Sequence, residues 1–155
     1  MTERSRCDRA KIAAVIVSPH QRIVATGYNG PPARWTPPPP GELTTHCVDW
    51  CDRAQLIIEQ GHSPVSEAVS ALYEDCPTIH AEINALLYSD PHERKRGTIY
   101  VTGSVCMACA KAIGNSGITT VTLVNVDEEA DAHRNPTEVR KFLVECDVRV
   151  RHVRV

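Results

Sequence analysis

His80, Glu82, Cys106 and Cys109 are the residues whose types and spacing point most directly to chemistry. They stand as His80-Ala81-Glu82 and, further on, Cys106-Met107-Ala108-Cys109. Imidazole and thiolate both bind zinc well, and three protein ligands leave the fourth tetrahedral position to water, the arrangement of a working zinc. His80, Cys106 and Cys109 are therefore expected to hold Zn2+. Glu82 is expected to stay off the metal and carry protons. Zinc lowers the pKa of water to about 7. A carboxylate beside it can take that proton, pass it to N3 of a cytosine ring, and later supply one to the leaving amine. The reaction so predicted is hydrolytic deamination of a nucleobase. A lone Cys-x-x-Cys also fits redox chemistry or half a zinc knuckle, and its pairing with His80 and Glu82 is what favours deamination.

These side chains need elements to hold them. Cys106 and Cys109 are i and i+3, so one helical turn can present both sulfurs to one point, and a helix start favours the thiolate form. His80 and Glu82 are two apart and diverge by about 200° in a regular helix, so both face a metal only from an irregular entry turn. Pro77-Thr78 supplies a break and a candidate cap there. The β-branched run Ile12–Val17 predicts a buried strand, with a turn at Ser18–Gln21 and a returning strand over Arg22–Tyr28. Helices are expected over His80–Tyr88 and Cys106–Ser116, the second closed by Gly117. Strands are expected over Gly97–Thr102 and Ile118–Val124. Asn135-Pro136-Thr137-Glu138 reads as a capped helix start, with Val139, Phe142, Leu143 and Cys146 on one face. Asp147–Val155 alternates valine with basic residues, as an exposed edge strand does. The order β-β-α-β-α-β-α-β predicts an α/β fold, a mixed sheet covered by helices.

The 155 residues fit one domain, read as 1–155, with 31–46 as a proline-rich loop carrying six prolines by position 45. That loop reads as a stiff spacer rather than a recognition motif. Residues 52–75 read as one or two helical turns broken at Gly61 and Pro64. The net charge of −2 and pI of about 6.4 give no support to a binder of polymeric nucleic acid. No apolar run reaches the length of a membrane span, and the N-terminal Met-Thr-Glu-Arg-Ser-Arg carries no apolar signal. Seven cysteines, an odd number, argue for metal binding in a reducing cytoplasm rather than a disulfide framework.

At the zinc residues the chain resembles the zinc-dependent cytidine deaminase superfamily, and within it the deoxycytidylate deaminase branch. The likeness runs through Ser5-Arg6-Cys7, Ala14–Val17, Gly27-Tyr28-Asn29-Gly30, His80–Ala85, Tyr100–Thr102 and Cys106–Ile113 to Ile118. The Gly-Tyr-Asn-Gly segment favours the nucleotide branch. The resemblance implies a three-layer α-β-α fold with a five-stranded mixed sheet. It implies that dCMP is converted to dUMP for thymidylate synthesis, with Asn29 and Ala81 in the substrate pocket and Asn29 on the sugar. It also implies homo-oligomers, often hexamers, and dCTP and dTTP as effectors. Bacterial and phage relatives bind a second, structural zinc, and Cys7, Cys47, Cys51 and Cys76 are the matching candidates, with His46 as a substitute ligand. The alternative is that these are buried thiols.

The chain departs from relatives in four places. Val105 stands where proline usually precedes the first zinc cysteine. Only six residues precede Cys7. The proline loop replaces a shorter link. Residues 125–133 contain no aromatic residue, where relatives often carry a tyrosine. Other substrates thus stay open: CMP, deoxycytidine or a 5-modified dCMP. A non-catalytic zinc or nucleotide-binding module is the alternative of a different class, and the free carboxylate of Glu82 argues against it. Lys11, Arg22, Arg34, Arg53 and the Arg94-Lys95-Arg96 cluster are either phosphate ligands or solvated surface. Trp35 and Trp50 are expected to pack the proline loop, with the pocket as the alternative for Trp50.

Overall fold

The computed structural model of the chain describes residues 2–5, 7, 10–35, 76–127 and 134–155. Five strands form one sheet: β1 (Ala13–Val17), β2 (Ile23–Tyr28), β3 (Thr98–Val101), β4 (Thr120–Val124) and β5 (Arg149–Val153), in the order β2-β1-β3-β4-β5. β1 is antiparallel to both β2 and β3, while β3, β4 and β5 run parallel. The helices are α1 (Ala81–Leu87), the single turn α2 (Pro91–Arg94), α3 (Met107–Gly114) and α4 (Pro136–Glu145). The mixed sheet and the order of elements are those expected from the sequence, except that α2 is an added turn between α1 and β3.

The β1–β2 turn closes on Ser18, whose amide donates to the Arg22 carbonyl at 2.8 Å, with Gln21 in the left-handed region at φ 61°. Register explains the core. Ala25 and Gly27 of β2 lie opposite Ile16 and Ala14, which lie opposite Ile99 and Val101, which pair in turn with Val121 and Leu123. Because side chains alternate along a strand, these residues share one face. That face packs in a single cluster with Ala81 and Ala85 of α1, Cys109, Ala110 and Ile113 of α3, and Val139 and Leu143 of α4. On the opposite face Val15, Val17, Tyr100 and Val124 are half-buried. At the edge, β5 pairs only with β4 among the described residues and exposes Arg149, Arg151 and His152.

Three local readings need correction. The N-cap of α1 is His80 itself, at φ −66° and ψ 151°, rather than Thr78. α3 ends at Gly114 with Asn115 as its C-cap, and Gly117 takes the left-handed conformation two residues after the cap, φ 83°. Asn135 does precede α4, but at φ 52° its side chain makes no cap bond. The expected helical turns within 52–75 lie outside the described residues, as does most of the proline loop. Among the described residues no helix is long and apolar enough to cross a membrane.

Candidate metal centre

His80 and Cys106 occupy equivalent places, each the extended residue just before a helix. This resolves the 200° problem: His80 stands outside α1, so its ring is free of the helical angle that governs Glu82, the second residue of the helix. Cys106 stands outside α3 in the same way, and Cys109 comes from the first turn. His80 Nδ1 lies 3.3 Å from Cys109 Sγ and 3.5 Å from Cys106 Sγ. The ligand atoms of all three lie within 4.8 Å of one another. Zinc–sulfur and zinc–nitrogen bonds of ordinary length span an N···S tetrahedral edge of roughly 3.5 Å. The donor set therefore fits Zn2+ in type and in spacing.

The seat of His80 is built by the Gly27-Tyr28-Asn29-Gly30 segment. Gly30 and Ile79 exchange both backbone hydrogen bonds, at 3.1 and 2.9 Å, which fixes the residue before His80. Asn84 Nδ2 donates to the Tyr28 carbonyl at 2.8 Å. A β-carbon at Gly27 would collide with the Ala81 carbonyl oxygen and the Ala85 amide nitrogen. Only glycine lets β2 approach the first turn of α1 this closely.

Asn29 is buried and largely occupied by the protein. Its Oδ1 accepts from Ser5 Oγ at 2.6 Å and from the Ile12 amide at 2.8 Å, and Nδ2 donates to the Ala10 carbonyl at 2.6 Å. Nδ2 carries a second hydrogen beyond that bond. Ala81 is fully buried at the first position of α1.

Glu82 is 2% exposed. Burial is the main cause that raises its carboxyl above the ordinary range, and the charge of His80 opposes this. The Cys106 thiol is lowered to about 3, first by a hydrogen bond from Cys109 and also by one from His80, against the effect of burial. Cys109 is pushed up by the same bond to Cys106 and by burial. His80 is raised chiefly by its hydrogen bond to Cys106. Thiolate and imidazole are thus already coupled into one group. Arg134, which nothing in the spacing marks, also belongs to this surrounding. Its Nη1 donates to the Ser104 carbonyl at 2.9 Å, two residues before Cys106, and its charge reaches both His80 and Glu82.

Other sequence candidates fall elsewhere. Cys7 is buried and Cys76 half-buried, while His46, Cys47, Cys51, Trp50 and Arg53 lie outside the described residues. Trp35 is half-buried; Lys11, Arg22 and Arg34 are exposed. Arg94 is half-buried, and its Nε and Nη1 donate to the main-chain carbonyls of Ser116, Leu86 and Ser89 and to Ser89 Oγ. Cys146 is partly buried against the core, as read.

Residues 1–125 match the family described as the cytidine and deoxycytidylate deaminase zinc-binding region. The deoxycytidylate deaminase of Mycobacterium phage D29 is 37% identical over 116 residues, covering 75% of this chain and 79% of that protein. The deoxycytidylate deaminase of Enterobacteria phage T4 is 32% identical over 137 residues, covering 76% and 68%. The crystal structure of the dCMP deaminase of cyanophage S-TIM5 with dCMP and dUMP superposes with a TM-score of 0.62 at 22% identity, over 98% of this chain and 88% of that one. At that identity the superposition speaks for the fold.

Proposed function

The chain belongs to the cytidine and deoxycytidylate deaminases, and from that premise we propose that it hydrolyses the amino group of dCMP to give dUMP and ammonia. The observation that carries this reading is the meeting of His80, Cys106 and Cys109 next to a buried carboxylic acid. Zn2+ held by these three residues supplies the Lewis acidity that makes water a nucleophile near neutral pH. Glu82 accepts the proton that the attacking water loses and returns it to ring N3. It then carries the second proton, from the hydroxyl added at C4, to the departing amine, which leaves as ammonia as the carbonyl forms. Its raised affinity for a proton suits both halves of that task. Glu82 is buried, while His80 and Cys106 beside it are half-exposed.

The choice of dCMP rests on the named activity of the relatives, and the remaining amide hydrogen of Asn29 is assigned to the sugar. We read residues 1–155 as one cytoplasmic deaminase domain that forms homo-oligomers, hexamers by family precedent, under control by dCTP and dTTP. Cys7 and Cys76, with Cys47 and Cys51 or His46, are assigned to a second, structural zinc. The position of Cys76 shortly before the Gly30–Ile79 bridge supports this, because a metal there would tether the approach to His80.

The test is ammonia release from dCMP, CMP, deoxycytidine and 5-substituted dCMP, with kcat/KM compared. dCMP is expected to lead. Equal rates for deoxycytidine would remove the 5′-phosphate from recognition and overturn the nucleotide assignment. A lead for a 5-substituted nucleotide would change the substrate and keep the reaction. A metal assay on the same protein is expected to give two zinc ions per chain, and one per fully active chain would remove the structural site.

A further inference from the structure

We propose that Arg94 is a positioning residue for the metal centre: it ties together the far ends of α1 and α3 and so sets where His80 meets Cys106 and Cys109. Arg94 Nε donates to the Ser116 carbonyl at 3.1 Å, just beyond α3. Its Nη1 donates to the Leu86 carbonyl at 3.1 Å, in the last turn of α1. The same nitrogen reaches the Ser89 carbonyl at 3.2 Å and Ser89 Oγ at 2.9 Å. Two edges of one planar cation thus hold two helices. These carbonyls lie in or just beyond the last turns of the two helices, where the negative end of each helix dipole favours a cation; the Leu86 carbonyl also accepts from the Ser89 amide and hydroxyl.

The two helices it holds are the two that deliver the ligands. His80 starts α1, Cys106 starts α3, and Cys109 follows in the first turn. Each helix is about 10–12 Å long at 1.5 Å per residue, so a shift at the clamped end is carried to the ligand end. α1 and α3 pack on each other: Ala81, Glu82 and Ala85 of α1 are buried, and Ile83 and Leu86 are partly buried against the same core. Arg94 adds a polar tie between the two helices at the ends away from the ligands.

Arg94 is itself held from both sides. It ends α2, whose first turn is capped by Asp90 Oδ1, accepting from the His92 and Glu93 amides at 2.8 and 3.1 Å. Its carbonyl accepts from the Gly97 amide at 2.9 Å. A side chain at position 97 would collide with the Val17 carbonyl, so the return from Arg94 into β3 is as tight as backbone allows. The connection between α1 and β3 is therefore built to present one guanidinium.

This rests on the reading of His80, Cys106 and Cys109 as a zinc centre. The test uses the full chain, with zinc affinity measured by competition against a chromophoric chelator and the visible absorption of the Co2+-substituted protein recorded. Arg94→Ala is expected to weaken zinc measurably and to alter the Co2+ bands. Arg94→Lys is expected to recover part of the affinity, because an ammonium lacks the fork that spans both helices. Val148→Ala, a buried change beside β5, is the control: it should lower Tm and leave zinc affinity at wild-type. If Arg94→Ala does not fold, the Lys variant carries the decision. Lower Tm with wild-type zinc affinity and unchanged Co2+ bands would reduce Arg94 to a stabilising residue and overturn the proposal. A wild-type chain that binds no zinc would instead overturn the metal centre itself.

Discussion

α1 and α3 begin on His80 and Cys106, whereas the one-turn α2 begins on Asp90. All three cap residues share extended backbone, at φ −66°, −86° and −67°. Only Asp90 turns its side chain back to its own helix. An N-cap bond contributes about 1 kcal/mol, and the two longer helices forgo it. Their cap side chains point to each other instead, so that the start of each helix serves a shared centre. The comparison teaches a division of labour: the starts of α1 and α3 turn their cap side chains to a shared centre, while Asp90 caps α2 and Arg94 bonds to the opposite ends of α1 and α3.

The largest effect expected from breaking this division is at Cys106. Serine is a good N-cap and a poor zinc ligand. Cys106→Ser should abolish deamination and strip the metal from the centre, while the metal-free chain keeps its stability or gains up to about 1 kcal/mol. Denaturation of both chains in a chelator, beside a metal assay, checks it. A metal-free variant clearly less stable than the metal-free parent would mean that Cys106 serves the helix as well as the zinc.

Glu82→Gln comes next. It keeps shape and burial but cannot carry a proton, so kcat should fall by about 10²–10⁴, the usual weight of general acid–base catalysis. Zinc content should stay at wild-type. Loss of zinc on this substitution would make Glu82 part of the ligand set.

The sequence made some of this legible and hid the rest for a physical reason. The ligands are visible because their spacing is local: Cys106 and Cys109 share a turn, and His80 and Glu82 flank a helix entry. β1, β3 and β4 are visible because β-branched runs mark buried strands, and β5 because its valines alternate with charge. Arg94 reads as a loop charge, since its partners are carbonyls of Leu86, Ser89 and Ser116 that any side chain could carry. Arg134 is hidden for the same reason, its partner being the Ser104 carbonyl. Asn29 reads from the sequence as a substrate contact, whereas the structure shows its carboxamide bonded to Ser5, Ala10 and Ile12, in the segment before β1, which leave no trace in composition.

Gly27 sharpens the comparison from the side of packing. Gly27→Ala inserts a methyl between β2 and the backbone of α1, and backbone yields less than a side chain. Overpacking of this kind costs about 1–3 kcal/mol. Because the collision is with Ala81 and Ala85 rather than with the ligands, the variant should lose stability first and then activity through displacement of His80. Thermal unfolding and kcat/KM measured together check this. A variant with wild-type Tm and reduced activity would place Gly27 in the substrate pocket instead.

Asp90→Ala is expected to have the smallest effect, and its pH dependence identifies the cause. Two amide donors, from Glu93 and His92, lower the Asp90 carboxyl below its ordinary value. A group whose pKa is depressed on folding stabilises the native state above its unfolded pKa, about 3.9 for aspartate, and loses that contribution as pH falls through the folded value. The parent should therefore exceed the variant in Tm at neutral pH, and the gap should close only in acid below the ordinary aspartate range. Asp90 is fully exposed, so the gap should be small and should shrink in high salt. Since α2 presents Arg94, the same variant should weaken zinc slightly, and less than Arg94→Ala does. A gap in Tm that persists unchanged into strong acid would mean that the carboxylate's charge is not what caps this turn, and the contrast with His80 and Cys106 would then rest on shape alone.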